Sequence, residues 1–197
     1  MKEYIDLSIK LTKDIPVFPG EPVIRFKKHA SIGKNGYNEH QVTINAHFGT
    51  HIDFPYHMIE DGEKSDSFEI SRFIGKGTVI DVNNLKVNDI DGDVILVYTG
   101  HLDSGVEHMF EDIPYLDEKL VDLIIEKNPK MVLLDIPTPD KYPFKIHKKL
   151  LNNHILIVEN VVNMKQLMGK NFNVFVAPLN FVGFDGAPCR VFAEVES

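Results

Sequence analysis

Five short apolar runs, spread along the chain, restrict most strongly what this sequence can fold into. Each is four or five residues long and rich in valine, isoleucine or leucine. Runs of this length and composition are typical of β-strands that are covered on both faces, whereas a buried helix needs a longer run. The runs are Thr78–Val82, Val94–Tyr98, Met131–Leu134, Ile155–Val158 and Val174–Ala177. The sequence therefore predicts a buried sheet as the framework of the fold.

Helical spacing is found mainly in the second half of the chain. Leu120, Leu123 and Ile124 follow the helical period, and Asp117 is placed to cap the start of that helix. Helices are predicted at Leu116–Lys127, Lys145–Asn152 and Asn160–Met168, a loop at Lys10–Pro22, and further strands at Val23–Ala30 and Gln41–His47. We therefore predict one mixed α/β domain over residues 1–197, with a β-rich first half.

Charge and hydropathy narrow the choice of partners. The formal net charge is −8 and the pI is about 5.5, which disfavours a nucleic acid unless a local basic patch exists. The basic runs Arg25–Lys28 and Lys145–Lys149 are short and interrupted, as expected for solvated faces. No apolar run approaches the roughly 20 residues that span a bilayer. We expect a cytoplasmic protein that acts on a small molecule, with no nucleic-acid or membrane partner.

The chain contains one cysteine, Cys189, so an internal disulfide is impossible and no oxidising compartment is needed. Cys189 precedes the strand-like run Arg190–Ala193. It could be a catalytic nucleophile, but a lone cysteine beside such a run is more often a small core residue.

The segment from His47 to His57 is rich in side chains that can bind a metal ion or transfer a proton. It holds three of the nine histidines and an aspartate, at positions 47, 51, 53 and 57. These positions share one parity, so in an extended chain their side chains project to the same side. Glycine and proline within the segment argue against a helix. We therefore predict His47 at a strand end, a bend at Gly49-Thr50, and His51 and Asp53 projecting together.

Imidazole nitrogens with a carboxylate oxygen, and no thiolate, are a ligand set for zinc, manganese or a similar divalent ion. Three protein ligands leave room for a water molecule, as a catalytic site requires. The alternative is that the histidines simply bond to the backbone near a strand end. Three histidines and an aspartate gathered around glycine and proline favour the metal site.

The pattern His-x-Gly-Thr-His-x-Asp-x-Pro-x-His at positions 47–57 resembles the signature of the cyclase-like metal-dependent hydrolases. That family includes bacterial kynurenine formamidases (arylformamidases) and isatin hydrolases. Segments near both ends look like the family as well: Ile5–Ser8, Ile15–Gly20, Val176–Leu179 and Gly183–Arg190. The resemblance implies a single β-rich domain of the swivelling β/β/α type and two divalent ions per chain, with zinc expected first and manganese as the alternative.

The resemblance also implies roles for the motif residues. His47, His51 and Asp53 would hold the first ion, and Asp53 would contact the second as well. His57 would be the general acid and base. Gly183–Arg190 would lie close to the site, with no role assigned to Asp185, which could equally belong to a plain turn.

Two residues downstream would complete the second metal site. His147 and Glu159 have the family's separation of 12 positions (147 to 159) and a similar context. From the sequence alone, His147 between lysines could be a surface residue, and Glu159 could be an acid in a first helical turn. His154 is the rival ligand for the second ion.

Phe18 occupies a position where the formamidases usually carry a tryptophan that is thought to face the substrate ring. Phenylalanine keeps an aromatic face but loses the indole N–H. The resemblance thus implies hydrolysis of an amide, with N-formylkynurenine as the first substrate. The alternatives are another lactam, lactone or ester, or a metal-binding module without catalysis. It also implies a homodimer or higher homo-oligomer, with Phe18 near a subunit boundary.

Overall fold

Ten β-strands and three α-helices are present in the computed structural model, which describes residues 2–22, 24–85 and 90–196. The strands are β1 (Glu3–Asp6), β2 (Arg25–Ala30), β3 (Glu39–Thr43), β4 (His51–Asp53), β5 (Ile74–Asp81), β6 (Val94–Tyr98), β7 (Met131–Leu134), β8 (Leu156–Glu159), β9 (Phe172–Pro178) and β10 (Gly186–Val195). The helices are α1 (Ile32–Asn35), α2 (Glu118–Lys127) and α3 (Lys145–Asn152). Short 3-10 turns lie at Pro55–His57, Ser65–Ser67, Ile70–Phe73, Val82–Asn84, His101–Ser104 and Met164–Leu167.

Seven of the strands close into a barrel. Their hydrogen-bonded order is β10-β4-β8-β7-β6-β5-β9, and β9 pairs with β10 to complete the ring. The strands β5 to β8 run parallel to one another, and the other pairs are antiparallel. Parallel neighbours need a crossover, and α2 and α3 lie in the connections from β6 to β7 and from β7 to β8. The predicted single mixed α/β domain, rich in strands, is confirmed.

The central strands β6, β7 and β8 are buried on both faces, so they appear in the sequence as continuous apolar runs. Successive side chains point to opposite sides of the sheet. One set, which includes Leu96, Leu133 and Val158, fills the barrel. The other set, which includes Val132 and Ile157, packs against α2 and α3. All five predicted runs lie in β5 to β9, to within one residue at an end.

Two of the three predicted helices are confirmed. The carboxylate of Asp117 accepts a hydrogen bond from the backbone N–H of Lys119 at 2.8 Å and caps α2, and α3 has the predicted bounds. The helix predicted at Asn160–Met168 is wrong, because only the 3-10 turn at Met164–Leu167 forms there. Asn160 and Asn163 have φ of 60° and 62°, which a right-handed helix does not accommodate. No helix in the described ranges is long and apolar enough to cross a membrane.

The first-half strands differ from the prediction at their ends. β2 begins at Arg25, and Val23, the predicted start, lies outside the described residues. β3 ends at Thr43, so the prediction of a strand that reaches His47 is wrong. The strands β2 and β3 pair only with each other among the described residues. The carboxamide oxygen of Asn45 then accepts the backbone N–H of His47 at 3.1 Å, a side-chain turn that ends the extended chain.

Candidate metal centre

Strand β4 places two of the predicted ligands side by side. His51 and Asp53 project to the same side, as predicted, while Ile52 between them points into the barrel core. In the antiparallel pairing with β8, His51 lies opposite Glu159, whose carboxylate therefore projects to the same side. The carboxylate of Asp53 is 1% exposed. The barrel wall thus brings one histidine and two carboxylates together in a buried position.

His47 and His57 reach this position from the two ends of β4. His47 lies in the turn before the strand, with its Nδ1 2.8 Å from Asp53 Oδ1. His57 lies in the 3-10 turn after the strand, and the centroids of the two imidazole rings are 4.2 Å apart. Gly49, in the predicted bend, has φ of 69°, a left-handed conformation that favours glycine. The bend lets the chain reverse so that His47 faces the strand that follows it.

Helix α3 supplies the fifth predicted metal ligand. The Nε2 atom of His147 lies 3.2 Å from Glu159 Oε1 and 3.9 Å from Asp53 Oδ2. His147 is buried and Glu159 lies in β8, so the alternatives of a surface histidine and a first-turn acid are wrong. His154, the rival ligand, is exposed and pairs with Glu63 at 2.9 Å, away from this cluster.

Two carboxylate oxygens in the cluster, Asp53 Oδ2 and Glu159 Oε1, are buried without a hydrogen bond. The Nε2 atom of His147 lies 3.9 Å and 3.2 Å from them, but it makes no hydrogen bond of acceptable geometry with either. A buried, unpaired anionic oxygen is unfavourable, and native proteins rarely leave one unexplained. A cation between the two carboxylates would pair both oxygens. The donor chemistry, imidazole nitrogen and carboxylate oxygen, suits zinc or manganese. The residues present therefore fit a divalent metal.

The potential ligand atoms fall into two groups that share Asp53. In one group are His47, Asp53 and His57, and in the other His51, Asp53 and Glu159, with all ligand atoms of a group within 4.8 Å of one another. This grouping differs from the one implied by the resemblance, which joins His47 with His51 and reserves His57 for proton transfer. Both arrangements make Asp53 the shared carboxylate.

Each of the three predicted histidine ligands has its second ring nitrogen held from outside the cluster. His51 Nδ1 lies 2.9 Å from the carbonyl oxygen of Gly49, His147 Nδ1 lies 2.6 Å from Asp140 Oδ1, and His47 Nε2 lies 2.8 Å from Asp185 Oδ2. Outer contacts of this kind fix the tautomer and ring orientation of metal-binding histidines. The other ring nitrogen of each histidine is thereby directed at the carboxylates of Asp53 and Glu159, where a cation would bind.

Sequence reasoning missed Asp140 and assigned no role to Asp185. Asp140 is buried, and its second carboxylate oxygen accepts the backbone N–H of Ile146 at 2.6 Å, so it fixes both His147 and the start of α3. Its position in Pro139-Asp140, shortly before a predicted helix, was the only available signal. Asp185 lies just before β10 and reaches the cluster only because the barrel closes.

The carboxylates also control the protonation of the histidines. Burial lowers the pKa of His51, but hydrogen bonds and charge attraction from Asp53 and Glu159 outweigh it and raise that pKa to about 10. At His147, Asp140 and Glu159 outweigh the effect of burial in the same way and raise the pKa to about 10. At His47, Asp185 and Asp53 do so and raise the pKa to about 9. Without a bound cation, the carboxylates therefore favour the protonated form of these imidazoles.

Burial raises the pKa of Asp53, but the charge of His57 and hydrogen bonds from the neighbouring histidines prevail and hold it well below its usual range. The pKa of Asp185 is lowered to about 2, first by its hydrogen bond with His47.

Burial raises the pKa of the Cys189 thiol, and Cys189 is not among the residues that line the cavity next to the cluster. Cys189 therefore stays a thiol at neutral pH, which agrees with a packing role.

The cluster opens into a cavity of about 250 Å³ with mostly apolar walls. Phe18, the predicted substrate contact, lies at this cavity and packs edge-on against Phe110, with ring centroids 5.5 Å apart. Phe48 and Phe144 also line it. Phe18 is therefore brought together with His47, His51, His57, His147 and Glu159, which line the same cavity. Aromatic walls around a polar base are suited to a small aromatic molecule.

Comparison with known proteins places the chain in a family. The family described as putative cyclase matches residues 5–141. The chain is 29% identical over 203 residues to kynurenine formamidase of Geobacillus thermodenitrificans, with 96% of each protein covered. It is 34% identical over 194 residues to an uncharacterized protein of Methanocaldococcus jannaschii, with 97% of this chain and 98% of that protein covered.

Among solved structures, an isatin hydrolase bound to the product analogue thioisatinate superposes with a TM-score of 0.88. The sequence identity is 19%, and the match covers 100% of this chain and 93% of that one. This likeness concerns the fold. Because the family's match extends over most of the sequence, including the entire segment from His47 to His57, the chain belongs to the putative cyclase family.

Proposed function

We propose that this protein is a metal-dependent hydrolase that cleaves an amide bond in a small aromatic substrate. The observation that carries the proposal is the pair of buried carboxylates, Asp53 and Glu159. Each has one oxygen without a hydrogen bond, and the neighbouring histidines have their second ring nitrogen bonded to a residue outside the cluster. This cluster forms the base of an aromatic cavity. Relatives named kynurenine formamidase, similar along nearly the whole chain, support the same reaction class.

The proposed centre holds two divalent ions, zinc first and manganese as the alternative. His47, His51 and Asp53 would bind one ion, and Asp53, His147 and Glu159 the other. Asp53 can serve both because a carboxylate has two oxygens, and the two possible ligand groups share it. Bound divalent ions lower the pKa of water from about 15.7 to about 7 and polarise a carbonyl oxygen.

The side chains of this protein would supply proton transfer and orientation. His57 lines the cavity, and an imidazole can accept and donate a proton near neutral pH. We propose that its Nε2, the nitrogen not directed at Asp185, takes the proton of the attacking water and passes it to the leaving nitrogen. The rings of Phe18 and Phe110 would hold the aromatic part of the substrate so that the amide faces the carboxylates.

N-formylkynurenine is the first substrate to test, since its hydrolysis with one water gives kynurenine and formate. Its amino-acid end carries an ammonium group next to a carboxylate, and the cavity presents Glu21 as a partner for the ammonium group. The Glu21 carboxylate accepts a hydrogen bond from Asn45 Nδ2 at 2.7 Å. None of the described residues that line the cavity is a lysine or an arginine. Among these lining residues Glu21 is thus the charged partner available to the ammonium group, and the substrate's carboxylate has no lysine or arginine there to pair with.

A lactam hydrolase is the second candidate. The apolar walls would suit an uncharged fused ring, which needs no charged partner, and Phe18 offers an aromatic face without an N–H donor. The fold shared with an isatin hydrolase makes isatin the natural comparison substrate. Measured rates for N-formylkynurenine, isatin and an aryl ester would rank the candidates.

The proposal is tested by elemental analysis of the purified protein and by an assay of N-formylkynurenine hydrolysis before and after chelation. We expect about two zinc or manganese ions per chain, as in two-metal hydrolases. Turnover should disappear on chelation and return with either metal. Two ions without turnover would contradict the formamide substrate and favour a lactam or ester. No bound metal after reconstitution would contradict the whole proposal.

Glu21→Gln tests the choice of substrate. Loss of the carboxylate should raise KM for N-formylkynurenine roughly two- to five-fold, the effect of one solvent-exposed charge pair. Hydrolysis of formanilide, which has no ammonium group, should not change. Steady-state kinetics with both substrates gives the comparison. An equal change with both would mean that Glu21 shapes the cavity instead of pairing with the ammonium group.

The homodimer or higher homo-oligomer and the cytoplasmic location stay predictions. The two-stranded β2–β3 sheet is exposed along most of its length and presents Phe26 and Val42 to solvent, which is compatible with self-association.

A further inference from the structure

Asp185 contacts two histidines of the cluster at once. Its Oδ2 lies 2.8 Å from His47 Nε2 and 3.4 Å from His57 Nδ1. Gly186, which follows it, has no room for a side chain, because a Cβ there would lie 2.6 Å from His47 Cε1. The chain therefore brings Asp185 against the two imidazoles at a point where only glycine fits next to it.

The loop that carries Asp185 is fixed to the segment that follows His57. Ser65 Oγ donates to the carbonyl of Phe181 at 2.8 Å and accepts the N–H of Phe184 at 3.1 Å. The N–H of Gly183 donates to Asp66 Oδ1 at 2.7 Å. These bonds hold the loop in place without any help from the carboxylate of Asp185. A change confined to that carboxylate should therefore leave the loop where it is.

His57 has few other restraints. Its side chain is 25% exposed, and Asp185 is the one hydrogen-bond partner of its imidazole among the described residues. A histidine that transfers a proton must present the correct nitrogen to the substrate, and a carboxylate on the other nitrogen secures both tautomer and orientation. The contact is long at 3.4 Å, and such bonds often shorten only when substrate is bound.

We propose that Asp185 is a positioning residue that holds His57 through Nδ1 and uses its second contact, with His47, to fix its own place. The proposal rests on the proposed hydrolase function, since it gives His57 a proton to transfer. Asp185 is not among the residues that line the cavity, and the hydrogen bonds of its carboxylate go to His47 and His57. It acts through His57 by keeping the proton on Nδ1 and leaving Nε2 for the reaction.

Kinetics of Asp185→Ala, His57→Gln and the double variant test this role. Asp185→Ala should lower kcat about 10- to 100-fold, the usual effect of an outer contact to a site histidine, with KM within two-fold. Asp185→Asn should recover part of the loss, because its carbonyl oxygen can still accept from Nδ1. In a His57→Gln background, Asp185→Ala should lower kcat no further.

Asp61→Asn is the matched control, since it removes an exposed carboxylate from the segment that follows His57. The inference is overturned if Asp185→Ala behaves like this control, or if its effect multiplies with that of His57→Gln. If the effects of the two substitutions multiply and Asp185→Ala also loses metal, Asp185 acts through His47 alone.

A second measurement does not depend on turnover. Nitrogen NMR of the metal-loaded protein should show His57 protonated at Nδ1 in the wild type and a mixture of tautomers in Asp185→Ala. If the wild type hydrolyses no amide, the proposed function fails while this spectrum still decides the role of Asp185. Identical His57 spectra in the two proteins would overturn the inference.

Discussion

Asp53→Asn is expected to leave the protein with neither bound metal nor hydrolase activity. Asp53 is the carboxylate shared by both ligand groups, with Oδ1 2.8 Å from His47 Nδ1 and 3.4 Å from His51 Nε2. Asparagine has the same shape but no charge, and its amide group would direct hydrogens toward the position of a cation. Metal affinity should fall by more than about 100-fold, the upper end of the effect of outer contacts.

Elemental analysis and the hydrolysis assay measure the effect, and circular dichroism checks that the variant is folded. Glu159→Gln is the informative comparison, because Glu159 belongs to only one of the two groups. We expect it to keep one ion. The exposed Asp61→Asn should keep both ions and full turnover. If Asp53→Asn retained two ions per chain, Asp53 would not be a ligand and the proposed centre would be wrong.

His57→Gln is expected to lower hydrolysis by about 10²–10⁴-fold while both ions stay bound. Glutamine can still form hydrogen bonds in the cavity, but it cannot take up a proton and release it near neutral pH. The loss should therefore appear in kcat, with KM changed little. Steady-state kinetics and elemental analysis of the same preparation separate a lost proton transfer from a lost metal.

His154→Gln is the matched control, because His154 is exposed and pairs with Glu63 outside the cavity. It should leave turnover unchanged. Two results would contradict the role of His57. Loss of metal together with activity would make it a ligand, as one of the two ligand groups allows. Unchanged hydrolysis would remove its catalytic role, and a protein with metal but without any turnover would be a binding module.

The barrel wall and its helices were predictable from sequence because local rules and tertiary burial agree there. Strands β6 to β8 are buried on both faces, so all their positions except Glu159 at the end of β8 are apolar or aromatic, and the runs are easily recognised in the sequence. Helix α2 begins at a capping aspartate, Asp117, and has a clear apolar face. At Asn160 and Asn163, local backbone conformation prevailed over an apparent helical period.

The site was predictable where its residues are close in sequence. His51 and Asp53 share one face of β4 because strand geometry alternates side chains, and the spacing displays this directly. The roles of Asp140 and Asp185 were not predictable. The resemblance placed Gly183–Arg190 near the site, but no local pattern links either aspartate to the histidines that it holds. Asp185 meets His47 only through the closure of β10 onto β4, a pairing between distant parts of the chain.

The metal-binding residues and the aromatic residues of the cavity belong to different parts of the fold. His51, Asp53 and Glu159 belong to strands of the wall, where a register shift of one residue would turn every ligand to the wrong side. Phe18 and Phe110, in contrast, belong to connecting segments. Connecting segments tolerate sequence change better than the strands and helices they join. Descendants of one ancestral barrel can therefore exchange one substrate for another while inheriting the same reactive centre.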